Sequence, residues 1–141
     1  MLSIATARAL REAGLTWKPA QFDFFAIPDR GLDERLFVIN DMPASMADLL
    51  GEAIITFDGA VEWALDYVPS GEVLWLPTEA QLRERLAAHL AGEPAFSLTL
   101  TTTGIGSRCE TRFRGQPLSA EAADAADAYG AVLLFILRAG D

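Results

Sequence analysis

Histidine and cysteine, the residues most often recruited for proton transfer, nucleophilic attack and metal binding, occur once each in these 141 residues, as His89 and Cys109. A lone cysteine excludes an internal disulfide and a cysteine-rich metal site, and a lone histidine excludes a His-Glu-x-x-His zinc motif. The chain also has no Gly-x-x-x-x-Gly-Lys-[Ser/Thr] phosphate loop and no Gly-x-Ser-x-Gly nucleophile elbow. Positive charge is scarce: 11 Lys and Arg, with Lys18 the single lysine, stand against 20 Asp and Glu for a net charge of −9. Such a field repels polyanions and disfavours nucleic acid or an acidic membrane as the main partner. Long apolar runs are missing too. The longest, residues 131–137, falls far short of the ~20 residues that span a bilayer. Residues 1–14 mix Arg8, Arg11 and Glu12 into their apolar positions, which does not fit a secretory signal. The expected location is the cytoplasm.

What the chain does have is core-forming material. With 51% hydrophobic and 22% charged residues, a chain of this length buries roughly 70% of its unfolded surface, and a single compact domain over residues 1–141 is expected. Residues 3–13 are free of Gly and Pro and end at Gly14, predicting a first helix. Residues 21–27 carry Phe22, Phe24 and Phe25 and read as a strand, and after the Pro28-Asp29-Arg30-Gly31 turn residues 35–39 read as its antiparallel partner. Residues 53–57 and 71–76 are two further strands. Residues 40–51 have no clean period, and residues 61–67 fit a strand or a helical turn equally.

Pro77 stops the strand at Leu74, Trp75 and Leu76. Thr78 and Gln81 then have the spacing of a capping box for a helix over residues 79–90, with Leu82, Leu86 and Leu90 on one face. Residues 95–102 alternate Phe96, Leu98 and Leu100 with Ser97, Thr99 and Thr101, and Gly104-Ile105-Gly106 turns the chain into a second strand over residues 107–114. Ser119 is placed to cap a long last helix reaching about Arg138. The sum is an α+β fold, an antiparallel sheet of about six strands carrying three helices, because regular βα alternation is missing.

Few residues offer chemistry. His89 flanks the apolar face of its helix and Cys109 alternates onto the inward face of its strand with Phe113, so both read as structural. Gly104-x-Gly106 lies between strands and is a turn, with no helix N-terminus to receive an anion. The acidic residues Asp29, Asp33, Glu34, Asp41, Asp58, Glu62 and Asp66 read mainly as a solvated surface. Within them Glu62 and Asp66, four apart, are the candidate catalytic pair of a small acid-base enzyme, metal-assisted in one version. Arg108, Arg112 and Arg114 form a basic stripe that either grips phosphate, nucleic acid or a carboxylate-rich partner, or protects an exposed strand edge. Trp17, Trp63, Trp75 and the phenylalanines supply core, with some available to a partner.

Residues 10–15 with Trp17, the Ile27-Pro28-Asp29-Arg30 block leading to Phe37-Val38 and Asp41-Met42, and the Val61-Glu62-Trp63-Ala64-Leu65-Asp66 block followed by Leu74-Trp75-Leu76-Pro77 and Gln81-Leu82-Arg83 together resemble a family of small bacterial proteins. Many of these come from high-GC Gram-positives and are carried under the label pilus assembly protein. The resemblance covers roughly the first two thirds of the chain. The localisation factor usually meant by that label is a ParA/MinD-like nucleotide-binding protein, whereas this chain has no phosphate loop and is shorter than that fold. The resemblance therefore implies kinship with the small proteins alone, and no activity, cofactor or site residue comes with it.

The expected function is that of a non-enzymatic binding or adaptor protein with a protein partner, without cofactor or metal. A homodimer is expected through the C-terminal helix or a sheet edge. Residues 129–137 are apolar around the full helix circumference, and one sheet face hides only a stripe of about 100°. Leu134 and Phe135 are the candidate interface residues, and the alternative cover is the 40–51 connector folding over the helix.

Overall fold

Ser3 opens the first helix by accepting the Thr6 N–H at 3.2 Å, and Gly14, at φ +108, ends it. From there the chain forms, in order, α1 Ile4–Glu12, β1 Phe24–Ala26, β2 Phe37–Val38, β3 Ile54–Ile55, β4 Val68–Pro69, β5 Leu74–Trp75, α2 Glu79–Leu90, β6 Leu98–Thr103, β7 Gly106–Phe113, β8 Gln116–Ala122 and α3 Ala125–Ala139. The computed structural model describes residues 1–28, 36–39, 54–55, 68–69 and 73–140. Among the described residues it is an α+β fold with three helices, and two antiparallel three-stranded sheets stand in place of the single expected sheet. No helix among the described residues is long and apolar enough to cross a membrane.

Contacts divide the chain into two units, Trp17–Trp75 and the combination of Met1–Thr16 with Leu76–Asp141. In the first, the strand order is β2-β1-β5, and β3 pairs separately with β4. Trp17 stacks on Trp75 with centroids 6.2 Å apart and planes 5° from parallel, and Phe25 lies 5.3 Å from Phe37. The buried Asp23 carboxylate accepts from Trp17 Nε1 at 2.9 Å and from the Ala20 N–H at 3.0 Å, tying the connector after α1 to the start of β1. The expected strand over 21–27 is shorter because Phe22 takes φ +72 and stands 65% exposed. The 40–51 connector and the undecided 61–67 segment lie outside the described residues.

In the second unit the capping box forms as its spacing predicts. Thr78 N–H donates to Gln81 Oε1 at 2.9 Å, and the Gln81 N–H to Thr78 Oγ1 at 3.2 Å. Leu82, Leu86 and Leu90 of α2 are fully buried. The sheet β6-β7-β8 is a meander, in which the alternation of Leu98 and Leu100 continues across register partners Thr111 and Cys109 to Leu118 and Ala120. Residues 95–97 precede β6 rather than belonging to it, since Ala95 sits at φ +53.

The C-terminal region departs most from expectation. Ser119 does not cap a helix; it lies in β8, opposite Glu110. Arg114 and Gly115, at φ +53 and +77, make a two-residue turn between paired Phe113 and Gln116, the positive-φ geometry that a tight hairpin requires. The cap is Asp124, five residues beyond Ser119, its carboxylate accepting the Ala126 N–H at 2.8 Å. The Met1 ammonium, bonded to the same carboxylate, is the chief cause holding Asp124 below its usual pKa. Pro117 fits because β8 is an edge strand.

Candidate functional site

α3 is the element on which the second unit is assembled: it packs against α1, α2, β7 and β8. That contact set answers the question of what covers an all-round apolar helix within this chain. Ala126, Ala128, Tyr129, Gly130, Val132, Leu133 and Ile136 are buried beneath these neighbours. Among the described residues one face stays open. Leu134 is half-buried, Phe135 is 56% exposed, and with Ala131, Arg138 and Ala139 they line a shallow depression of about 460 Å³. The two residues singled out from the sequence thus stand side by side on the uncovered face. A second shallow depression, of about 410 Å³, runs from Met1 past Thr78 to Ala126 and is lined mostly by apolar atoms.

Arg108 and Arg112 share the outward face of β7, and Arg114 leaves that face for the turn. Arg108 lies on the outward face of β7 between Glu110 and Glu121, each 3.7 Å away, so its charge is locally outnumbered. Arg112 donates from Nη2 to the Gly115 carbonyl at 2.7 Å and braces the hairpin turn. Arg114 is in that turn. Its N–H donates to Glu93 Oε1 at 2.6 Å, its Nη2 to the Gly140 carbonyl at 2.5 Å, and its guanidinium lies 4.8 Å over the Phe113 ring. Two of the three guanidiniums are therefore spent on main-chain carbonyls. Exposed ion pairs such as those of Arg108 contribute about 0–1 kcal/mol.

Cys109 is fully buried on the inward face of β7. Loss of hydration, with a smaller contribution from the Glu110 charge, pushes its thiol up from an ordinary 9.0 to about 11. A neutral, enclosed thiol is a poor nucleophile. Two results follow. Alkylation by iodoacetamide at pH 8 should be slower in the native protein than in guanidinium by orders of magnitude. Between pH ~9 and ~11 the unfolded thiol ionises while the native one keeps its proton, so stability falls as pH rises, by up to about 1.4 kcal/mol per unit. Denaturation of Cys109→Ala across the same range checks the sign, because that contribution to the slope should vanish.

His89 is exposed in the last turn of α2. Glu62 and Asp66 lie outside the described residues, as do Asp29, Asp33, Glu34, Asp41, Asp58 and Trp63. Among the described residues no group of three or more His, Cys, Asp or Glu is placed to hold a metal. Asp23, which the sequence did not distinguish from other acids, is a buried carboxylate of the first unit that accepts from the Ala20 N–H three residues earlier. Comparison with protein-family models, curated proteins and solved structures finds no match to this chain.

Proposed function

We propose that the chain is a non-enzymatic binding or adaptor protein that engages a protein partner through the outer face of α3. The observation that carries this reading is Phe135, 56% exposed beside Leu134 on a helix whose buried arc packs against α1, α2, β7 and β8. A large aromatic side chain held on a rigid helix is a good anchor, because it offers much apolar area at little entropic cost. Arg138 adds charge at one end of the same face and gives it direction. Arg108, Arg112 and Arg114, each turned to acidic or carbonyl oxygens nearby, favour this surface over a phosphate or nucleic-acid site. The resemblance to the small bacterial proteins brings no site residue, so the reading rests on α3.

A photo-crosslinking side chain placed at position 135 in living cells tests it. Adducts are expected at 135 and not at the control position Thr101, on the outward face of β6. Labelling at 135 no stronger than at 101 would overturn the reading.

A further inference from the structure

We propose that the occupant of this face is α3 of a second copy of the chain, docked antiparallel about a two-fold axis; the inference rests on the reading of α3 as the binding surface and names its partner. At 100° per residue, Asp127, Ala131, Leu134 and Arg138 fall within about 60° of one another on α3, and Phe135 flanks them. Their 4-3-4 spacing is that of a coiled-coil seam, with a small and a large residue at the two inner positions. The outer positions carry opposite charges, Asp127 in the first turn and Arg138 in the last.

That order is self-complementary in one arrangement. A two-fold axis passing beside the helix between Val132 and Leu133 sets Ala131 of each copy against Leu134 of the other, and Asp127 against Arg138 at both ends. Two ion pairs, two small-against-large contacts and opposed helix dipoles result together. A parallel pairing would instead put Asp127 beside Asp127 and Arg138 beside Arg138. Arg138 makes no ion pair among the described residues, and Asp127 takes one intramolecular bond, from the Ser3 N–H at 3.0 Å. The groups the arrangement calls on are thus in place at the rim of an open apolar stripe. A single helix pair covers less than the ~800 Å² per partner of a standard interface, so the association is expected in the micromolar range.

Sedimentation equilibrium of the full chain at tens to hundreds of micromolar should give twice the 15.2 kDa chain mass. Leu134→Glu should return it to the chain mass. Asp127→Arg and Arg138→Asp should each weaken self-association about 10-fold by placing like charges together at both ends. An equimolar mixture of those two variants should recover the dimer, since each then meets the opposite charge; circular dichroism confirms that each is folded. A wild-type chain that stays at the chain mass overturns self-pairing, as does a dimer indifferent to Leu134→Glu or a mixture that stays dissociated. The surface reading fails separately, if position 135 labels no more strongly than position 101, so adducts to a foreign protein from a monomeric chain would overturn this inference and leave that reading standing.

Discussion

Gly106→Ala should lower stability by about 3 kcal/mol or more, the size expected when a side chain is forced into backbone at a strained dihedral. Gly106 closes the Gly104-Ile105 loop opposite Thr103 and starts β7. It sits at φ +152, and a Cβ there would lie 2.1 Å from the Ala122 carbonyl oxygen and 2.7 Å from the Ala123 Cα. Those are backbone atoms of the β8 end and of the link to α3, so no rotamer relieves the clash. The ladder must open at Ser107–Ala122, where β7 and β8 are paired, and the entry into α3 must shift with it. Gly104→Ala is the matched control: a Cβ at Gly104 meets nothing within 4 Å, and a change within about 0.5 kcal/mol is expected. Urea denaturation of the two variants separates a steric requirement at one glycine from a general loss of turn flexibility.

Gly130→Leu should be comparably severe, for a packing reason. Gly130 is buried in the middle of α3, where α1 lies against it. A Cβ at this position would meet Leu2 Cδ1 and Thr6 Cγ2, both at 2.9 Å. Leu2 can rotate away, but Thr6 is β-branched and short, and Leu10 waits 3.7 Å off on the next turn of α1. A leucine therefore displaces α1, uncovering Leu2, Ala7 and Leu10, each now buried, with an expected loss of about 3 kcal/mol or more. Gly130→Ala discriminates: its gain in helix propensity of roughly 1 kcal/mol opposes two Cβ contacts of 2.9 Å that Leu2 and Thr6 must shift to relieve, so a loss clearly smaller than that of leucine is expected. A leucine variant as stable as wild type would show that α1 does not pack over Gly130 in solution.

Much of this organisation is legible in local pattern. Thr78 and Gln81 set the start of α2 because a capping box is satisfied within four residues, whatever lies around it. Leu82, Leu86 and Leu90 mark its buried face by period alone. The β6–β7 hairpin follows from strict alternation and two glycines, and Cys109's burial from the parity of its strand. Where the pattern is ambiguous the reading goes astray. In residues 116–122 alanine and serine stand where helix and strand differ only through their neighbours, so Ser119 reads as a helix cap although it is a strand residue facing outward opposite Glu110. Arg114 similarly alternates onto a strand face in the sequence, and the Arg114-Gly115 turn removes it from that face.

The candidate surface divides along the same line. By itself the sequence determined that residues 129–137 form an apolar helix needing cover on more than one side, and that Leu134 and Phe135 belong to it, because hydrophobicity and helical period are properties of the segment. Which side stays open was decided only in tertiary structure, because it depends on where α1, α2, β7 and β8 come to rest. Gly130 admits α1 on one flank, β8 returns beside β7 to bring the sheet under another, and α2 packs its leucines on a third. Cover is a relation between segments far apart in the chain, and no pattern within α3 records it. The stripe from Asp127 to Arg138 is what those three contacts leave.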